Sequence, residues 1–174
     1  MNKLLIVIDM QNDFITGPLG SPQAEMVVHN VNLKIADYKR SGNSILFTRD
    51  THDEGYSETQ EGKYLPIIHC VKGTHGHLIA DGLDTDECRI FDKPNFGSLE
   101  LAKQIAAGGY DEIELCGVCT DICVVSNALI LKAQLPETQI TVDARCCAGV
   151  TQESHEAALL TMKMCQVNVL DKVQ

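Results

Sequence analysis

The sequence predicts an α/β fold, in which a doubly wound, mostly parallel sheet of six strands carries helices on both faces. Apolar runs alternate along the chain with longer amphipathic stretches, which is the order typical of βαβ units. Several apolar runs are continuous rather than alternating, as expected for strands that are buried on both faces. The length of 174 residues suits one hydrophobic core, so we expect residues 1–174 to form a single domain.

The first elements are two strands separated by one long helix. Lys3 to Met10 (KLLIVIDM) is a continuous apolar run and predicts the first strand. Gln23 to Arg40 has a helical pattern and is closed by Ser41 and Gly42. Ser44 to Thr48 (SILFT) predicts a second buried strand.

A long polar loop over residues 51–77 follows, rich in His, Glu, Thr and Gly. A loop of this length inside a compact domain is usually functional or disordered. After the loop, strands and helices alternate again. In order they are Arg89–Asp92 (strand), Ser98–Ala107 (helix with Ser98 as N-cap), Glu112–Cys116 (strand), Thr120–Ala133 (helix), Gln139–Ala144 (strand), Ser154–Cys165 (helix) and Val167–Leu170 (strand).

Composition argues against several classes of partner. The net charge is -10 and Lys and Arg are not clustered, which disfavours nucleic acids and anionic membranes as partners. The first apolar run ends at Ile8, too early for a signal peptide, and no later run is long enough to span a membrane. We therefore expect a cytoplasmic protein in which most of the 8 cysteines are free thiols.

Charged and reactive residues follow the ends of the predicted strands, where doubly wound folds bind their ligands. Asp9, Asp50, Lys93 and the turn from Gly117 to Cys123 all occupy such positions. Taken singly, Asp9 can be a helix cap and Lys93 a solvated lysine. Beside a reactive cysteine, the acid becomes a candidate general base and the lysine a cation that stabilises a thiolate.

The segment CGVCTDICVV places Cys123 in the first turn of a predicted helix. Backbone N–H groups and the helix dipole favour a thiolate there, although a buried core cysteine explains the segment equally well. Cys116 and Cys119 form a C-x-x-C pair, which leaves a thiol-redox protein as an alternative. Cys116 finishes a strand, whereas a reactive first cysteine usually begins a helix, so this alternative is less favoured.

The polar loop begins with a potential metal site. Asp50 and His52 project to the same side of an extended segment, and His69 follows later in the loop. Two imidazoles with one or two carboxylates suit a first-row divalent metal. The alternatives are a solvated polar loop, or a site in which His75 or His77 replaces one ligand.

Five motifs, taken in order, resemble the isochorismatase-like cysteine hydrolase superfamily, and most closely its nicotinamidase branch. They span nearly the whole chain and read IDMQNDF, TRDTH, EGKYLPIIHCVKGTHG, DKPNFGS and CGVCTDICV. The resemblance implies a triad in which Asp9 transfers protons, Lys93 holds the thiolate and Cys123 is the nucleophile. It also implies a cis peptide between Val118 and Cys119, and an oxyanion hole formed by the N–H groups of Cys119 and Cys123.

The resemblance further implies a metal-assisted amidohydrolase, with nicotinamide and water giving nicotinate and ammonia as the leading reaction. One divalent ion (Zn, Mn or Fe) would be held by Asp50, His52 and His69. Glu61 is the best match to a fourth ligand.

The implied substrate pocket would include Phe14 and Tyr64. Because relatives commonly form homo-oligomers, we expect one here. Related cysteine hydrolases act on other small amides, carbamoyl compounds or isochorismate. Isochorismate is the least favoured of these substrates, because cleavage of a vinyl ether does not need a cysteine nucleophile.

Overall fold

A computed structural model describes residues 2–171 of the protein. Its centre is one parallel sheet of six strands. Its strands are β1 (Lys3–Ile8), β2 (Ser44–Asp50), β3 (Arg89–Lys93), β4 (Glu112–Val118), β5 (Gln139–Ala148) and β6 (Asn168–Leu170). They pair in parallel in the order β3-β2-β1-β4-β5-β6. From β1 to β3 successive strands are added on one side of β1, and from β4 to β6 they are added on the other side. Such a switch point, between β1 and β4, opens a crevice at the carboxyl ends of the strands. The predicted sheet is confirmed.

Helices lie between the strands. They are α1 (Asn12–Ile15), α2 (Pro22–Arg40), α3 (Gln60–Tyr64), α4 (Leu99–Ala107), α5 (Val125–Gln134) and α6 (Gln152–Met164). Helix α2 packs against the sheet, whereas α4 and α6 both pack against α5. Right-handed crossovers place this second group on the opposite face from α2, so both faces are covered as predicted. The predicted cap is also confirmed, because Ser98 Oγ accepts the Leu101 N–H at 3.1 Å.

Four segments differ from what the sequence predicted. The polar loop contains a 3-10 turn (Tyr56–Glu58) and α3, and α1 was not predicted. The helix predicted from Thr120 begins instead with a π turn (Thr120–Val124) before α5. Strand β5 runs on to Ala148, because its bulged pairing with β4 resumes after the polar stretch at which the predicted strand ended.

The core lies on both sides of β1, whose residues from Leu4 to Ile8 are almost wholly inaccessible to solvent. This explains why its sequence is continuously apolar. All 8 cysteines are free thiols, as expected. Among the helices within residues 2–171, none is long and apolar enough to cross a membrane.

Gly117 allows β1 and β4 to approach closely at the switch point. Its φ is +117°, and an added Cβ would lie 2.1 Å from the Ile8 carbonyl oxygen. We expect Gly117→Ala to lower the free energy of unfolding by at least about 3 kcal/mol, since backbone strain and a backbone clash combine.

Urea unfolding measures this effect. Gly42→Ala is the matched control, because Gly42 also has a positive φ, of +66°, but an added Cβ would meet nothing within 4 Å. The control should cost only about 1 kcal/mol. Equal losses in the two variants would contradict the close-approach explanation.

Candidate active site

Three predicted catalytic side chains meet at the crevice. Asp9 directly follows β1, Lys93 ends β3, and Cys123 lies in the π turn after β4. All three are buried, and Asp9 and Lys93 are fully inaccessible to solvent. Because parallel strands bring their carboxyl ends to one edge, residues far apart in sequence become neighbours.

The Lys93 ammonium joins the acid to the thiol. Its Nζ lies 2.6 Å from Asp9 Oδ2 and donates to Cys123 Sγ at 3.6 Å. It also donates to the Asn95 carbonyl at 3.0 Å, so the three donors of the ammonium can all be used. Burial opposes the charge, but the neighbouring anionic groups, Asp9 first, outweigh burial and raise the pKa of Lys93.

Asp9 is placed to accept a proton. The Thr48 hydroxyl donates to Asp9 Oδ1 at 2.6 Å, and the Asp9 N–H donates back to that hydroxyl at 3.1 Å. The backbone of Asp9 lies in the left-handed region, with φ of 47°. Burial raises the pKa of Asp9 and outweighs the attraction of Lys93, which makes the carboxylate a better base.

The Cys123 thiol needs such a base. Burial raises its pKa well above the ordinary value, Asp9 adds to the rise, and Lys93 opposes it. The thiol therefore depends on a neighbouring base to give up its proton, and the favourable effect of the helix start stays a prediction. The physical reason for the raised pKa is that desolvation outweighs the attraction of the one nearby cation.

The turn that carries Cys123 begins with a cis peptide between Val118 and Cys119, as the resemblance implied. Its far side is held by Asn127, a buried residue to which sequence analysis gave no role. Asn127 Nδ2 donates to the Cys123 carbonyl at 2.8 Å and to the Phe96 carbonyl at 2.9 Å. The signal was an asparagine inside an apolar helix, where this residue type is unfavourable without a specific partner.

The four predicted metal ligands also come together. Asp50, His52, Glu61 and His69 each offer one ligand atom, and these atoms lie within 4.8 Å of one another. His52 Nε2 is 2.9 Å from Asp50 Oδ2, and His69 Nε2 is 3.6 Å from the same oxygen. Asp50 and His69 are buried, and the His52 side chain is only 7% exposed, so the solvated-loop alternative is wrong.

This cluster fits a divalent metal. Two imidazole nitrogens and two carboxylates are suitable ligands for zinc and neighbouring metals. The Ile67 carbonyl lies 2.8 Å from His69 Nδ1, which fixes the ring and leaves Nε2 facing the cluster. Asp50 Oδ1 is buried without a hydrogen-bond partner among residues 2–171, and lies 3.6 Å from Lys93 Nζ. This oxygen thus faces Lys93, whereas Oδ2 faces the two histidines and is placed to bind a metal.

Gln11 holds Asp50 in place, a role that sequence analysis missed although the residue lies within IDMQNDF. Its Oε1 accepts the Asp50 N–H at 2.7 Å, and its Nε2 donates to the Asp50 carbonyl at 2.9 Å. Neither alternative histidine joins the cluster. His75 is exposed at the surface, and His77 Nε2 lies 2.9 Å from Thr51 Oγ1.

A cavity of about 400 Å³ connects the thiol to the metal cluster. Its lining includes Cys123, Asp50 and His69 and is otherwise largely apolar, with Phe14 as one predicted wall. The prediction for Tyr64 is wrong, because α3 turns this side chain outward and leaves it 85% exposed. A second buried aromatic residue beside the cluster is Tyr56, whose ring centroid lies 4.5 Å from that of His52.

The C-x-x-C pair lacks the electrostatics of a redox site. Cys116 is fully buried within β4, and burial raises the pKa of its thiol well above the ordinary value. Burial also raises the pKa of Cys119 to about 12. Reactive redox cysteines have lowered pKa values, so these thiols do not support the thiol-redox alternative.

Comparison with known proteins identifies the family. Residues 3–174 match the family model described as the isochorismatase domain. The chain belongs to the isochorismatase family. It is 28% identical to a nicotinamidase of Saccharomyces cerevisiae, over 98% of this chain and 100% of that protein. It is 32% identical to the uncharacterized isochorismatase family protein PncA of Bacillus subtilis, over 91% and 93% of the two chains.

Solved structures of family members share the fold. The crystal structure of a pyrazinamidase of Pyrococcus horikoshii in complex with zinc superposes with a TM-score of 0.85. The identity is 27%, and the match covers 99% of this chain and 100% of that one.

We expect purified protein to bind about one zinc ion per chain, and His69→Ala to weaken binding by at least about 100-fold, because a direct ligand is lost. Equilibrium dialysis with metal analysis measures both quantities. His75→Ala is the control, since the His75 side chain is 70% exposed and outside the cluster. Equal affinities in the two variants would contradict the assigned ligand set.

Proposed function

We propose that this isochorismatase family member hydrolyses nicotinamide to nicotinate and ammonia through a thioester on Cys123. The observation that carries the proposal is the contact of Lys93 with both Asp9 and Cys123 at a cavity that also reaches the metal cluster. The similarity to a nicotinamidase and to a zinc-bound pyrazinamidase supports an amide of a nitrogen heterocycle as the substrate.

In the first half of the reaction, Asp9 removes the thiol proton and Cys123 Sγ attacks the amide carbonyl. The new carbon–sulfur bond places negative charge on the carbonyl oxygen, and the N–H groups of Cys119 and Cys123 are the proposed donors to it. Lys93 stabilises the sulfur as charge builds there. Asp9 then gives its proton to the amine as the carbon–nitrogen bond breaks, and ammonia leaves.

In the second half, Asp9 takes a proton from water as the water oxygen attacks the thioester carbonyl. The carbon–sulfur bond breaks, and the proton on Asp9 returns to the sulfur, so the free thiol is restored with the acid product. The raised pKa of Asp9 suits a group that takes up and returns a proton twice in each turnover.

Asp50, His52, Glu61 and His69 would hold the divalent ion. A bound ion of this kind supplies a Lewis acid that can anchor the ring nitrogen of a pyridine. Phe14, whose ring centroid lies 5.5 Å from that of His69, would form an apolar wall beside that ring.

Further properties belong to the same proposal. We propose that residues 1–174 act as one domain in the cytoplasm, where the 8 free thiols would stay reduced. The net charge of -10 supports the absence of a nucleic-acid partner. A homo-oligomer also belongs to the proposal, and its interface would cover part of the exposed apolar surface.

Release of ammonia from nicotinamide tests the proposal. We expect Cys123→Ala to lower kcat by at least about 10⁴-fold, because no other group forms the thioester. Cys165→Ala is the control, since Cys165 is an exposed cysteine outside the cavity, and it should keep full activity.

Turnover that survives in Cys123→Ala would overturn the mechanism. If the unchanged protein does not turn over nicotinamide but binds metal, nicotinamide is the wrong substrate. Other small amides and carbamoyl compounds would then be assayed with the same pair of variants.

A further inference from the structure

The residues between Cys119 and Cys123 are bound directly to the start of α6. The two carboxylate oxygens of Asp121 accept the Val150 N–H at 3.2 and 3.1 Å. The Ser154 hydroxyl, in the first turn of α6, also donates to this carboxylate. One side chain therefore joins the nucleophile turn to the loop and helix that follow β5.

A second bond runs parallel to the first. Thr120 Oγ1 lies 2.8 Å from His155 Nδ1, and Thr120 is fully buried. Burial lowers the pKa of His155 against the opposing charges of Asp121 and Glu156. His155 also supports the loop from behind, since a Cβ added at Gly149 would lie 2.8 Å from His155 Cβ.

The loop held in this way is part of the cavity wall. Gly149 and Val150 line the same cavity as Cys119 and Cys123. The hydrogen bonds of Asp121 and Thr120 therefore fix the distance between Cys123 and the part of the cavity wall formed by Gly149 and Val150. A displacement of about 1 Å at such a position can lower a rate by about 100-fold.

We propose that Asp121 is a positioning residue, which holds the Cys123 turn against the Val150 wall and so sets where a bound carbonyl lies relative to Sγ. The consequence for turnover rests on the proposed amidase function, whereas the placement of the thiol does not.

Capping of α6 does not require Asp121. Thr151 Oγ1 accepts the Ser154 N–H at 3.1 Å, and Ser154 Oγ accepts the Thr151 N–H at 3.1 Å, so the helix has its own capping box. Glu153 already places an acidic side chain in the first turn. The Asp121 carboxylate thus serves the turn on which it lies.

The test compares three variants of the metal-loaded protein. Asp121→Ala removes both bonds. Asp121→Asn keeps an acceptor for the Val150 N–H, and its amide can donate to Ser154 Oγ while that hydroxyl donates to the Thr151 carbonyl, 3.2 Å away. Glu153→Ala is the matched control, because it removes an exposed acidic side chain from the first turn of α6, next to Ser154. The measurements are kcat and KM for nicotinamide, and the rate of iodoacetamide alkylation at Cys123, quantified by peptide mass spectrometry.

We expect Asp121→Ala to lower kcat at least tenfold, with KM changing less than kcat, and to slow alkylation of Cys123 at least fivefold because Sγ moves away from Lys93. Asp121→Asn should recover kcat to within about threefold of the unchanged protein, and Glu153→Ala should match it.

Alkylation separates the two proposals. If the unchanged protein does not hydrolyse nicotinamide, the proposed function fails, yet slower alkylation in Asp121→Ala than in Glu153→Ala would still support positioning. Equal alkylation rates in these two variants would overturn it. So would an Asp121→Asn variant as impaired as Asp121→Ala, or a loss of kcat that matches the unfolded fraction at the assay temperature.

Discussion

The buried ammonium of Lys93 is the charge on which the site depends. A cation removed from water is tolerated only when anionic partners surround it, and removing one partner of a buried pair typically costs about 3–5 kcal/mol. Lys93 meets this need with Asp9 at 2.6 Å and Asp50 at 3.6 Å. The ends of β1, β2 and β3 must therefore stay together, and the interaction that we propose to activate the thiol also fixes the local fold.

The switch point explains why this site lies where it does. Because β1 pairs with both β2 and β4, an acid placed after β1 lies between the lysine side and the cysteine side of the sheet. Gly117 lets β4 approach β1 closely. Asn127 and Asp121 then hold the turn after β4 by hydrogen bonds on two different sides. The apolar strands and these hydrogen bonds thus act together to hold the Cys123 thiol at a fixed distance from Asp9, its proposed base.

Continuous apolar runs made the sheet predictable, because this signal is local in sequence. Strand-end positions made Asp9, Lys93 and Cys123 candidates, and the resemblance of five motifs to one family assigned them to a triad. The extension of β5 was not predictable, since its pairing resumes only after a bulge around polar residues. Tyr64 was placed wrongly because sequence distance to His69 does not tell which side chains of a short helix face inward. The structure puts Tyr56 there instead, at a ring centroid distance of 5.0 Å. Gln11 acts through the backbone of Asp50, far away in sequence, which no local pattern reveals. Asn127 left a local signal as an asparagine in an apolar helix, but its partner Phe96 is distant and was not predictable.

The two halves of the site are electrostatically linked through Asp50. This carboxylate contacts His52 and His69 through Oδ2, while its other oxygen faces Lys93. Asp9 and Asp50 face the one ammonium, and Glu61 lies beside the two histidines. Burial, together with the charge of Asp50, raises the pKa of Glu61. A divalent cation among the ligands would balance negative charge from these carboxylates. Metal binding would then lower the pKa values of nearby acids, Asp9 included, so the metal would help set the strength of the base that serves Cys123.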